Sequence, residues 1–198
     1  MEITSEEFTL LIKGNLSDSM SDKEFFEFCQ RNDSLQVERD ENKQIIIVAP
    51  TSTSTGKYNA DLLGELIIWN KIKNLGVCFD SSSGFSLPDG SVRSPDISWI
   101  SKKNWNKISD KQKNEFAPIC PDFVIELKSK SDSLKYLTNK MHKWIENGCA
   151  LAWPINPANK SVFVFGKDGI VHKINGFNNI LSGEEILPGF RLDLSILL

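Results

Sequence analysis

Three residues in two short segments have the types and spacing that chemistry needs. Asp96 follows Pro95 at the head of Ser94-Pro95-Asp96-Ile97-Ser98-Trp99-Ile100, and Glu126 and Lys128 flank Leu127 in Asp122-Phe123-Val124-Ile125-Glu126-Leu127-Lys128. Side chains alternate along a strand, so Phe123, Ile125 and Leu127 take one face and Asp122, Val124, Glu126 and Lys128 the other. An acid and a base side by side on so apolar a strand are costly to desolvate unless they are paired or bound to a metal. Taken alone, Glu126-Leu127-Lys128 suits an ordinary ion pair at a strand end. Pro95-Asp96 alone suits a turn closure, although proline is also tolerated at the first position of a strand. The two together form a more specific combination than either.

The elements that must position these residues can be read from periodicity and punctuation. Ser21-Asp22-Lys23-Glu24 has the form of a capping box and opens a helix through Phe25, Phe26 and Phe28. A hairpin is expected over 35–39 and 44–49, turning at Asp40-Glu41-Asn42. Ser54 or Thr55 is expected to cap a helix carrying Leu62, Leu63, Leu66, Ile67 and Trp69 to about Leu75. Short strands at 77–80 and 84–87 precede the turn Pro88-Asp89-Gly90 and the strand at 95–100. Lys102 to Asn114 predicts a short helix and a loop. A strand at 122–127, a helix from about Asp132 to Asn147 stopped by Gly148, and a strand at 150–155 predict a crossover unit in a mixed sheet. Further strands are expected at 162–165 and near 170–174. The fold class is α/β, with a mixed central sheet flanked by helices and an added N-terminal helix and hairpin. Residues 1–20 read as an extension and 21–198 as one domain.

Pro95-Asp96 followed by Glu126-Leu127-Lys128 resembles the P-D … (D/E)-x-K signature of the restriction endonuclease-like nucleases. The segments 87–96, 121–134 and 183–190 narrow the likeness to the Uma-type family, a group first catalogued as a domain of unknown function. The similarity runs from about Ser21 onward.

That resemblance implies a Mg²⁺- or Mn²⁺-dependent endonuclease hydrolysing the phosphodiester bonds of DNA. Asp96, Glu126 and the backbone carbonyl of Leu127 would be the metal ligands, all hard oxygens suited to such ions. Lys128 would orient or help deprotonate the attacking water and offset charge on the phosphate. Many members carry a lysine at the place of Lys140, so Lys140 is a further candidate, although a solvated helix lysine accounts for it equally. Asn59 stands where members often carry His or Asn, and local capping chemistry explains an asparagine there as well. A homodimer is expected from the resemblance and from how common such assemblies are.

Composition limits the alternatives. The net charge of −3 over 198 residues argues against a protein that grips long nucleic acids by charge alone. No apolar run approaches the roughly 20 residues of a membrane span. The acidic opening Met1-Glu2-Ile3-Thr4 lacks a signal-peptide layout, so a cytoplasmic protein is expected. Cys29, Cys78, Cys120 and Cys149 lack the spacing of a zinc site and read as free thiols. His142 and His172 have no carboxylate or cysteine at a useful spacing. The lysines at 102, 103, 107, 111 and 113 read as a solvated face, or as phosphate contacts if the chain is a nuclease. A catalytically silent binding or assembly module on the same fold is the main alternative.

Overall fold

The computed structural model describes residues 20–129, 133–167 and 169–198. The expected extension therefore lies almost wholly outside the described residues, as do Lys130, Ser131 and Asp132. Ser21 opens α1 (Asp22–Arg31) as a capping box, its hydroxyl accepting from the Glu24 amide while the Glu24 carboxylate accepts from the Ser21 amide. Two amides that a helix start leaves unpaired are thereby satisfied. Phe25 and Phe28 bury against the hairpin of β1 (Gln36–Arg39) and β2 (Ile45–Val48), forming a small core with Val37 and Val92. Arg39 locks this unit: its buried guanidinium donates to the Met20 carbonyl and the Asp22 carboxylate, and stacks over the Phe25 ring.

Helix α2 (Thr53–Lys73) is capped by Ser52, whose hydroxyl accepts from the Thr55 amide, rather than by the expected Ser54 or Thr55. Every residue from 51 to 55 carries a hydroxyl suited to capping, so local chemistry could not choose among them. The helix ends at Asn74 in the left-handed conformation. Then come β3 (Gly76–Asp80), β4 (Phe85–Ser86), β5 (Val92–Arg93) and β6 (Ile97–Ser101). Where one short helix and a loop were expected, two single-turn helices follow, α3 (Lys102–Trp105) and α4 (Asp110–Lys113), capped by Ser101 and Ser109. The crossover unit is β7 (Phe123–Leu127), α5 (Leu134–Glu146) and β8 (Leu151–Asn156). The chain closes with β9 (Ser161–Gly166), β10 (Gly169–Asn175), β11 (Ile180–Ser182), β12 (Arg191–Asp193) and a 3₁₀ turn at Leu194–Leu197.

The main sheet has six strands in the order β10-β9-β8-β7-β6-β3. Its one parallel pairing, β7 with β8, is the one α5 bridges; the others are antiparallel, so the sheet is mixed as expected. Helices cover both faces. Leu62, Leu66 and Trp69 of α2 pack on the side of Ile97, Trp99, Phe123, Ile125 and Leu127. Leu137, Met141 and Trp144 of α5 pack on the other, with Ile100, Val124 and Ala152. A second sheet, in the order β2-β1-β5-β4, joins the hairpin to the segment before Asp96. Periodicity did not reveal it because β4 and β5 are two residues each. No described helix is long and apolar enough to cross a membrane.

Candidate functional site

Strand register brings the two acids together. Trp99, Ser98 and Ile97 of β6 lie opposite Phe123, Val124 and Ile125 of β7; one step further sets Asp96 against Glu126. The Asp96 carboxylate accepts from the Leu127 amide at 2.7 Å, so a side chain continues the hydrogen bonding where the backbone pairing of β6 runs out. Both residues fall on the face covered by α5.

Glu126 is 3% exposed and fully engaged. Its Oε2 accepts from Lys140 Nζ at 2.7 Å and its Oε1 from Trp144 Nε1 at 3.0 Å. Lys140 and Trp144 are one helical turn apart on α5, which lets both reach the same carboxylate. Burial raises the Glu126 pKa from its ordinary 4.5 to about 7; the Lys140 charge holds it down, the nearby Asp96 charge adds to the rise, and the bonds from Lys140 and Trp144 also hold it down. For Lys140, burial favours loss of the proton, but the carboxylates of Glu126, Glu38 and Asp96 together outweigh burial and lift its pKa well above the usual lysine value. Lys140 therefore keeps its charge at any ordinary pH.

Glu38 was not foreseen as part of this arrangement. It is buried on β1, where its carboxylate accepts from the Ser94 amide at 3.0 Å and from the Arg93 guanidinium at 3.1 Å. The hairpin thus grips the two residues that lead into Pro95-Asp96. A charged residue beside Val37 in a short strand was the available signal, but its partner lies 55 residues away in sequence. Trp144 was not singled out either. Its indole nitrogen, one turn from Lys140, was the feature to notice.

The other predicted residues fare differently. Lys128 lies just beyond β7, its Nζ donating to the Ser129 carbonyl at 3.0 Å and its amide to the Ile155 carbonyl at 2.8 Å. Neither bond is to Glu126. Asn59 belongs to α2, whose core side packs on the opposite face of the sheet, and its Oδ1 is buried without a hydrogen-bond partner among the described residues. The run starting at Lys102 and Lys103 follows the far end of β6 from Asp96. His142 meets the edge of Phe165. All four cysteines are free thiols, as expected.

Asp96, Glu126 and the Leu127 carbonyl suit a hard divalent ion in kind. Burial is the main cause of the raised Glu126 pKa and the Asp96 charge adds to it; a divalent cation bound there would offset both. Both Glu126 oxygens are already hydrogen-bonded, so an ion must share or displace the Lys140 and Trp144 contacts. Among the described residues no three His, Cys, Asp or Glu side chains form a metal-holding group, which leaves the remaining positions to backbone and water.

Lys140 and Trp144 also line a cavity of about 280 Å³ between the hairpin and α5, with Ile46, Leu87, Tyr136 and Asn139 among its walls. The cavity thus reaches the two side chains that hold the Glu126 carboxylate.

Comparison with known proteins agrees with this architecture. A crystal structure described as a "putative nuclease belonging to DUF820" from Anabaena variabilis ATCC 29413 superposes with a TM-score of 0.68 at 20% identity, covering 81% of this chain and 88% of that one. At that identity the likeness shows the fold alone, a mixed sheet flanked by helices. No curated protein matches the chain. The model of the Uma2 family, described as "Putative restriction endonuclease", matches residues 22–195. Spanning α5 and all twelve described strands, β6 and β7 among them, that match makes the chain a member of the Uma2 restriction endonuclease family.

Proposed function

We propose that the chain is a divalent-metal-dependent endonuclease that hydrolyses phosphodiester bonds in DNA, with Asp96, Glu126 and the Leu127 carbonyl holding Mg²⁺ or Mn²⁺. The observation that carries this reading is the anchoring of Asp96 on the Leu127 amide, which fixes one acid beside another that is remote in sequence. A bound ion would supply activation of water and neutralisation of charge on the phosphate. Asp96 is held rigid by its hydrogen bond, and Glu126 by two. Lys140 stays cationic and so contributes electrostatic stabilisation of a phosphate rather than proton abstraction. Lys128, at the strand end, is the cation of the motif itself, and Lys140 is the second.

The test is cleavage of supercoiled and single-stranded DNA with Mg²⁺ and with Mn²⁺, comparing the native chain with Asp96→Ala and Glu126→Ala. Ion-dependent cleavage lost in both variants is the expected result, and cleavage that survives in either one overturns the reading. One observation favours a silent binding module instead: Glu126 already has a cation and two hydrogen bonds, so its burial needs no metal. Ion binding without cleavage of any DNA selects that alternative.

A further inference from the structure

We propose that the cavity beside Glu126 receives a single unstacked nucleobase, so that the DNA handled at this site is single-stranded or locally unpaired. This rests on the nuclease reading for its position and goes beyond it in naming the form of the substrate.

The cavity's volume, about 280 Å³, lies just below the roughly 300–1,000 Å³ typical of ligand pockets. That suits one heteroaromatic ring system and not a stacked base pair. Its walls are of mixed character. Ile46 of the hairpin, Leu87 and the Trp144 ring supply apolar surface, and the Asn139 amide offers a donor and an acceptor. Apolar walls with a few placed polar groups are what a neutral, flat, hydrogen-bonding ligand requires.

Tyr136 indicates stacking. It is 53% exposed on α5 and lines the same cavity, one turn from Asn139 and Lys140 and two from Lys143. An aromatic ring standing at the rim of a pocket, rather than folded into the core, offers a platform for a base. Tyr136, Asn139, Lys140 and Lys143 form one stripe along the helix, so a base against Tyr136 lies one turn from Lys140, the residue bonded to Glu126.

Charge argues against the obvious alternative, a phosphate at the Lys143 and Arg93 end of the cavity. Lys143 Nζ is bonded to Glu41 at 2.8 Å, and Arg93 is held by Glu38 at 3.1 Å and Glu41 at 3.8 Å. Asp40 lines the pocket as well. Cations already satisfied by carboxylates, beside a further acid, make a poor anion site and an adequate one for an uncharged ring. In a duplex the bases remain stacked and paired, and entry to such a pocket requires extrusion from the helix. A single strand has its bases available at little cost.

The experiment measures binding by fluorescence anisotropy with the full chain in EDTA, so that no strand is cut. The probes are a labelled mixed-sequence DNA single strand, the same strand with abasic sites in place of its nucleosides, and the corresponding duplex. The intact single strand is expected to bind more tightly than either other probe. Tyr136→Ala should weaken that binding roughly 5- to 150-fold while leaving the abasic strand unaffected. Tyr136→Phe should restore it, since the ring is what stacks, and Asn139→Ala gives a second handle within the cavity. Equal binding of abasic and intact strands, tighter binding of duplex, an unchanged Tyr136→Ala, or no binding of any probe overturns the proposal. Glu126-dependent cleavage of duplex DNA alongside any of those results leaves the nuclease reading intact. Conversely, Tyr136-dependent binding of the intact strand with no cleavage under Mg²⁺ or Mn²⁺ supports the pocket and removes the nuclease.

Discussion

Glu126 takes its cation from Lys140, 14 residues downstream on α5, and not from Lys128 on its own strand. Strand geometry explains the preference. Side chains two residues apart on one strand stand parallel and roughly 7 Å apart at their bases, and Lys128 has left the strand, its ammonium on the Ser129 carbonyl. Helix α5 instead crosses the sheet face and lowers Lys140 directly onto the carboxylate.

Exchanging each lysine for methionine separates their roles. Lys140→Met leaves a buried carboxylate without a cation, a loss of about 3 kcal/mol in stability at pH 8, the low end of the usual range because Lys140 is partly exposed. At pH 5, where Glu126 is protonated, the loss should be much smaller. Lys128→Met should stay within about 0.5 kcal/mol at both pH values. Urea unfolding gives these values, and DNA cleavage should fall about 100-fold or more only in Lys140→Met. The reverse ranking in cleavage would return the lysine's role to position 128.

The folded chain keeps the Glu126 proton to about pH 7, whereas the unfolded carboxyl releases it near 4.5. Between those values the folded state binds more protons, so stability falls as pH rises, by about 3 kcal/mol at most over the whole window. The contribution is fully present below pH 4.5 and lost above 7. Glu126→Gln removes this slope. Unfolding free energies of both proteins at pH 5 and pH 8 without divalent ions check it, and parallel pH dependences would show that another group is responsible.

Much of this arrangement was legible in the sequence for a physical reason. The alternation Phe123-Val124-Ile125-Glu126 assigns faces by itself, and it put Glu126 on the side where α5 lies. The capping box at Ser21, the crossover from β7 to β8 and the helices on both faces came equally from local pattern. What local pattern does not contain is which distant groups meet. Glu38 pairs with Arg93 and Ser94 because of strand register, and β4 and β5 are too short to show a period. The lysine partner of Glu126 depended on how α5 is turned about its axis, which the core residues Leu137, Met141 and Trp144 fix only once the sheet is built.

Metal occupancy has a readout independent of cleavage. An ion that binds only the folded chain stabilises it, by about 2.7 kcal/mol at a hundredfold excess over its dissociation constant. Titrating Mn²⁺ at pH 8 while following thermal unfolding should raise the midpoint of the native chain and leave Asp96→Asn and Glu126→Gln unchanged. A rise of equal size in the variants would move the ion elsewhere on the molecule.

Glu38 acts on the site through the segment it holds. Glu38→Ala leaves the Ser94 amide and the Arg93 guanidinium without their shared acceptor, at a cost of about 1–3 kcal/mol. It also frees the approach to Asp96. Glu38→Gln keeps an oxygen for Ser94 and should hold Mn²⁺ more tightly than Glu38→Ala does. Calorimetric titration of the two variants distinguishes this positioning role from plain loss of stability, under which ion affinity would be the same in both.

Trp144→Phe probes the second hydrogen bond to Glu126. The substitution keeps most of the buried ring but leaves Oε1 without its donor at 3.0 Å, a cost of about 1–3 kcal/mol while the carboxylate is charged. Because that bond is among the influences that hold the Glu126 pKa down, removing it pushes the pKa higher still. The pH window over which stability is lost should therefore extend upward from 7. If DNA cleavage requires ionised Glu126, the acidic limb of its pH–rate profile should move in the same direction. Both shifts come from one missing N–H, so they should appear together in the same variant. A Trp144→Phe protein whose rate profile stays in place while its stability profile moves would mean that Glu126 ionisation does not limit the reaction.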